Sequence, residues 1–177
     1  MSKVSQELIN HIKNKNAEIE AWVAEDPKNR WSGTYITDVE YWEERKIFTV
    51  ADLERDELIN YIYDGHKDAY GFRNRGYDFD SMSMDELKAE ADRIGEAIEA
   101  EMKRMDEYYA TNKAELEKRI EDTMKNLGAS DRQTAIRWIL GAEDLITEYD
   151  VGYVQYSLGV PYDHMKEEFQ QAMKGAA

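Results

Sequence analysis

Acid–base or metal chemistry near neutral pH would rest first on histidine, whose ordinary pKa lies closest to 7. The chain has three, His11, His66 and His164. Asp68 stands two residues from His66 and Asp163 adjoins His164. If the fold converged either pair, the carboxylate could orient the imidazole or share a metal. The same spacings suit histidines that only cap helices or face water. Cysteine is absent, which removes thiol nucleophiles, thiolate metal sites and disulfides and suits a reducing compartment. No G-x-x-x-x-G-K-S/T, G-x-G-x-x-G, H-E-x-x-H, G-x-S-x-G or EF-hand loop occurs. With 38 acidic residues in the chain, neighbouring carboxylates arise without any hydrolase to explain them. These residues point to a binding protein rather than an enzyme, and no catalytic residue, metal ligand or cofactor is assigned.

Residues 63–79 differ from the rest. Arg73 and Arg75 are one residue apart, flanked by Gly71 and Gly76 and by Tyr70, Phe72, Tyr77 and Phe79. Arginine offers a planar fork for carboxylate or phosphate, and neighbouring aromatics add contact area at low entropic cost. A contact site built on Tyr70, Phe72, Arg73, Arg75 and Tyr77 is one reading. The other is a structural loop in which the two arginines pair with Asp78 and Asp80 while Phe72 and Phe79 plug the core.

The formal charge is −15, from 38 acidic against 23 basic side chains. Such a surface repels phosphate, so direct nucleic-acid binding and anionic membranes are disfavoured. It suits solubility, attraction to a basic partner, or imitation of nucleic acid. Residues 83–127 carry 13 acidic and 8 basic residues. Glu90 with Arg93, Glu99 with Lys103, Glu115 with Arg119 and Glu121 with Lys125 have the helical pair spacing of an ordinary solvated face. No block of the chain forms a continuous phosphate-like track, although patches brought together by folding could make one.

The elements that must position these residues read as helices. Only 2 Pro and 10 Gly interrupt 177 residues, of which 42% are hydrophobic, enough for a core of long helices. Residues 5–25 carry Leu8, Ile9, Ile12, Ile19 and Trp22 at helical spacing, with Asp26 and Pro27 as a stop. Thr37 with Glu40 reads as a capping box for a short helix bearing Tyr41 and Trp42, and Thr49 as the cap of a helix over 50–70. Ser83 with Glu86 caps a pattern reaching Leu127, with apolar residues Leu87, Ala91, Ile94, Ile98, Met102, Met105 and Tyr109. Their steps of 4 and 3 sit nearer an 11-residue repeat than a heptad. Asn112 and Lys113 interrupt the seam, so the segment is one long helix or a hairpin turning near 110–113. Gly128 ends it, Asp131 starts a densely apolar helix, Asp150 starts a short one, and Met165, Phe169 and Met173 mark the last. The fold expected is an all-α helical bundle, one domain over 1–177, with 83–127 free to protrude as an arm.

Tyr63, Lys67, Asp68, Gly71, Arg73 and Arg75 form a Y-x-x-x-K-D-x-x-G-x-R-x-R pattern at a helix end, followed by a loop and a long acidic helix. This resembles uncharacterised small proteins of tailed bacteriophages, as do residues 131–144 and 152–162; together these stretches cover about two thirds of 56–162. Asn74 departs from the pattern, which has Pro between the arginines. The group has no established activity to carry over. The resemblance implies a context in which small acidic proteins bind a host enzyme or defence complex stoichiometrically, as anti-restriction and anti-CRISPR proteins do.

The function expected is that of a phage-encoded inhibitor or host-takeover protein in the host cytoplasm. Its acidic surface, represented by Glu86, Glu90, Glu96, Glu117 and Glu121, would compete with nucleic acid for the basic groove of a host protein, in the manner of a DNA mimic. The alternative is an assembly protein that self-associates, or binds a virion component, through the long helix. No leader segment and no run near the ~18 apolar residues of a membrane span is present, so no membrane partner is expected.

Overall fold

A computed structural model describes residues 3–146 and 150–174. All regular structure among them is helical: α1 (Gln6–Glu25), α2 (Val39–Glu44), α3 (Val50–Tyr70), α4 (Met84–Leu127), α5 (Arg132–Ala142), α6 (Val151–Ser157) and α7 (Lys166–Lys174). The all-α class is therefore what the sequence indicates. The caps explain most boundaries. Ser5, Thr49, Asp131 and Asp150 each accept a backbone N–H of the first turn, removing one of the orphan donors at a helix start. Thr49 and Asp52 complete a reciprocal box, as do Ser83 and Glu86. The cap of α2 corrects the expectation at Thr37: Asp38 accepts from the Glu40 N–H at 3.0 Å, one residue further on.

The chain divides into two compact units, Met1–Ile98 and Glu99–Ala177, with the boundary inside α4. α4 runs without interruption through 110–113, so the hairpin alternative is not adopted. No Pro breaks it, and each added residue gains a hydrogen bond once a helix is nucleated. The polar seam residue instead serves a neighbour: Asn112 Nδ2 donates to the Gly159 carbonyl at 2.9 Å.

In the first unit, Leu8, Ile12, Trp42, Ile47 and Leu53 form one buried cluster, and Ile62, Leu87, Ala91 and Ile94 another. The apolar stripe of α1 contains a buried amide. Asn16 donates to the Tyr35 carbonyl at 2.8 Å and accepts the Tyr35 N–H at 2.7 Å, tying the loop after α1 to the helix. Trp22, placed on the stripe by its spacing, is about half exposed. α3 and α4 approach closely at Gly65, where a Cβ would lie 2.8 Å from Ile94 Cγ2.

In the second unit, Leu116, Ile120, Ile136, Leu140, Val154 and Phe169 are buried together. At about 25 cal/mol per Å² of apolar surface, each such side chain contributes roughly 1.5–3 kcal/mol. Among the helical charge pairs the spacing suggests, Glu90 and Arg93 bond, whereas Lys103 pairs with Glu107 at 4.0 Å and Arg119 with Glu143.

Candidate protein-binding site

The arginine and aromatic segment sits between the end of α3 and the start of α4, within the first unit. α3 stops at Gly71, whose φ of 81° is left-handed and suits glycine; its N–H caps the Lys67 carbonyl at 2.8 Å. The loop then folds back onto the helix. His66, only 7% exposed, lies 2.7 Å through Nδ1 from the Phe72 carbonyl. A carbonyl only accepts, so Nδ1 carries the proton and donates. The imidazole packs among Tyr70, Phe72 and Tyr77, with ring centroids at 4.6, 4.9 and 6.1 Å.

The rest of the loop is fixed from the side. Arg73 bonds Asp64 through Nε and Nη2, each at 2.9 Å, with its guanidinium 5.6 Å from the Tyr63 ring centroid. Asn74 Oδ1 accepts the Gly76 N–H at 2.9 Å, a side-chain turn that sets the backbone between and just after the two arginines. Arg55 donates to the Phe79 carbonyl at 2.5 Å, and Phe79 stacks on Tyr77 at 4.9 Å. The Tyr77 hydroxyl donates to Glu90, and Arg93 binds the same carboxylate while reaching the Tyr77 and Tyr70 hydroxyls at 3.3 and 3.4 Å. Arg93, with Tyr77 helping and burial opposing, holds the Glu90 carboxyl below its ordinary range. Burial, then the bond to Glu90, pushes the Tyr77 hydroxyl up.

The residues singled out by sequence fall into distinct settings. Of Tyr70, Phe72, Arg73, Arg75 and Tyr77, the first four are exposed and Tyr77 is half-buried. Phe72 is 60% exposed and Arg75 is exposed with no carboxylate partner among the described residues, while Phe79 packs into the core. The structural-loop alternative is thus half met: Phe79 plugs the core, Phe72 does not, and Arg73 finds Asp64 rather than Asp78 or Asp80. Glu86 is held in the helix cap and Glu90 by Arg93 and Tyr77. Glu96 is exposed on α4. Glu117 and Glu121 belong to the second unit, where Glu117 takes a two-pronged bond from Arg132, 2.6 Å on each arm, and Glu121 is exposed.

Sequence reasoning did not find Asp64, Tyr63 or Arg55 as supports of the loop. It weighed His66 as an acid–base candidate, whereas the imidazole acts as the latch under the loop. Arg93 was visible as the i,i+3 partner of Glu90, without its reach to the two tyrosines. Among the described residues no group of three His, Asp or Glu is placed to hold a metal ion, and no helix is long and apolar enough to cross a membrane. Arranged in this way, the loop is bonded to both helices and leaves Phe72 and Arg75 exposed. Comparison with known proteins finds no matching family model, and neither a curated protein nor a solved structure matches the chain.

Proposed function

We propose that this protein acts by binding another protein, and that the loop over 71–79 is its contact surface. The observation that carries this reading is a division of labour within the loop. Its inner groups are bonded to α3 and α4, while Phe72 and Arg75 are left facing water. An aromatic ring carried on a loop that is already bonded in place loses little entropy on docking, and aromatic and arginine side chains are the type of anchor that dominates interfaces. The partner class that fits the charge is a host nucleic-acid-handling or defence protein with a basic groove. The net −15 steers the encounter; Glu96 in the first unit and Glu121 in the second are each exposed carboxylates. Glu86, Glu90 and Glu117 are bonded internally, so their role is to hold the scaffold. Occupying the groove would exclude nucleic acid, which makes the protein an inhibitor of phage type.

Capture from bacterial lysate on the tagged full-length chain tests this, with bound proteins identified by mass spectrometry. One basic host protein should be retained at about 50 mM salt and released by about 500 mM. The double variant Phe72→Ala, Arg75→Ala should retain at least about tenfold less, a loss of ~1.4 kcal/mol or more. Equal capture by wild type and variant would remove the loop from the interface.

A second reading, self-assembly, is favoured by α4. Met102, Met105 and Tyr109 continue the apolar rhythm, yet Met102 is 63% exposed. Sedimentation that is independent of concentration would exclude it.

A further inference from the structure

A separate surface lies in the unit Glu99–Ala177, where α4 is followed after residues 128–131 by α5. Arg119, Asp122, Thr123, Asn126 and Leu127 share one face of α4, at i, i+3, i+4, i+7 and i+8. Trp138 and Ala142 oppose them from α5, and the nearly buried Ile139 closes the floor of an open groove of about 430 Å³. The groove is lined by polar and apolar residues in equal number, and its large apolar side chains are uncovered: Leu127 is 70% and Trp138 46% exposed. The other side of α5 already has a helix against it. Gln133 donates to the Glu168 carbonyl at 2.9 Å and Arg137 to the Ala172 carbonyl at 3.4 Å, both on α7.

Charge narrows what could fill the groove. Arg119 is neutralised by its hydrogen-bonded pair with Glu143. The formal charge left on the lining is Asp122, whose carboxylate receives a 3.4 Å donation from Asn126. The lined face of α4 spans eight residue steps, roughly 12 Å, or a little over two turns of a second helix.

We propose that this groove docks a basic amphipathic helix of a protein partner. Apolar anchors on that helix at i, i+3 or i+4, and i+7 would fill the space between Leu127 and Trp138. A Lys or Arg beside them would meet Asp122, and a chain of net −15 disfavours an acidic helix in the same place. The docking surface is independent of the loop over 71–79, whose residues lie in the other unit.

Selection of a displayed random library of peptides, roughly four turns long when helical, on the immobilised full-length chain tests the assignment. Enriched sequences should carry large apolar residues at helical spacing with interleaved Lys or Arg. The best of them, made synthetically, should bind at least about tenfold more weakly to Ala142→Glu and to Asp122→Lys, and equally well to Phe72→Ala. Ala142 and Asp122 are exposed, and circular dichroism confirms that each variant folds. Failure to enrich any such sequence overturns the proposal, as does binding indifferent to both groove substitutions. Self-association of the chain that Ala142→Glu abolishes also overturns it, because the occupant would then be a second copy.

Discussion

His164 is half-buried, and its Nε2 is shielded from solvent with no hydrogen-bond partner among the described residues. It lies in the field of Lys113 and Glu117 from α4, Arg132 from α5 and Glu168 from α7. Burial first, then the charge on Lys113, holds its pKa below the ordinary 6.5, with Arg132 acting the same way and the two glutamates opposing. A folded pKa below the unfolded one means that the unfolded chain takes up the proton first as the solution is acidified. The stability contributed by His164 is therefore complete above the ordinary value and lost as pH falls through it toward the folded one. The melting temperature should fall between about pH 7.5 and about pH 5.5, and His164→Gln should flatten that slope. An unchanged slope would place the titration elsewhere. Glu117 acts in a lower window. Its bond to Arg132 depresses its pKa from 4.5, so its contribution persists until the pH falls below that ordinary value. The types of such residues were legible in the sequence, but their partners were not. Arg73 has Asp78 and Asp80 closer along the chain, yet the loop folds back on α3 and Asp64 reaches it first. The same fold-back brings the Phe72 carbonyl onto His66, a partner that residue type alone does not reveal.

Helix boundaries were the most legible feature at the scale of elements, because capping chemistry is local. Thr49, Ser83 and Gly71 mark their helix ends by residue type alone. The long helix could not be settled in the same way. Asn112 reads as a flaw in an apolar seam, and its use appears only when α6 arrives. Its amide holds the Gly159 carbonyl, and Gly159 itself has a φ of 65° with the Tyr108 hydroxyl 2.6 Å from where a Cβ would stand. A left-handed turn and a close approach thus coincide at one glycine. Asn112→Leu restores the apolar rhythm of the seam but orphans that carbonyl. It should destabilise the protein by about 1–3 kcal/mol in urea denaturation, despite its higher helix propensity. A neutral or stabilising result would mean that α6 is held by packing alone. Gly159→Ala meets both strain and overlap, and should cost more than Asn112→Leu under the same conditions.

At the scale of the whole chain, two electrostatic effects compete. Ion pairs such as Arg45 with Asp56 at 2.9 Å, and Arg132 with Glu117 and Glu168 at 2.6 and 2.7 Å, favour the folded state. Opposing them is an excess of 15 negative charges, whose mutual repulsion grows when the chain compacts. The pairs act over one contact distance and, being partly exposed, contribute roughly 0–1 kcal/mol each. The excess charge acts over the full Debye length, about 30 Å in 0.01 M salt and about 3 Å in 1 M. Added salt therefore removes more repulsion than attraction. The melting temperature should rise by a few degrees between about 10 mM and about 500 mM sodium chloride. Chloride is the appropriate anion, because sulfate would stabilise by exclusion from the surface whatever the net charge. Over the same range, capture of a basic partner should weaken, since screening that relieves self-repulsion also removes attraction to an opposite charge. The two trends must run in opposite directions if the acidic surface serves recognition as well as solubility. A melting temperature that falls with salt would instead assign the dominant role to the ion pairs. Capture that persists at high salt would shift the binding energy to Phe72 and its aromatic neighbours.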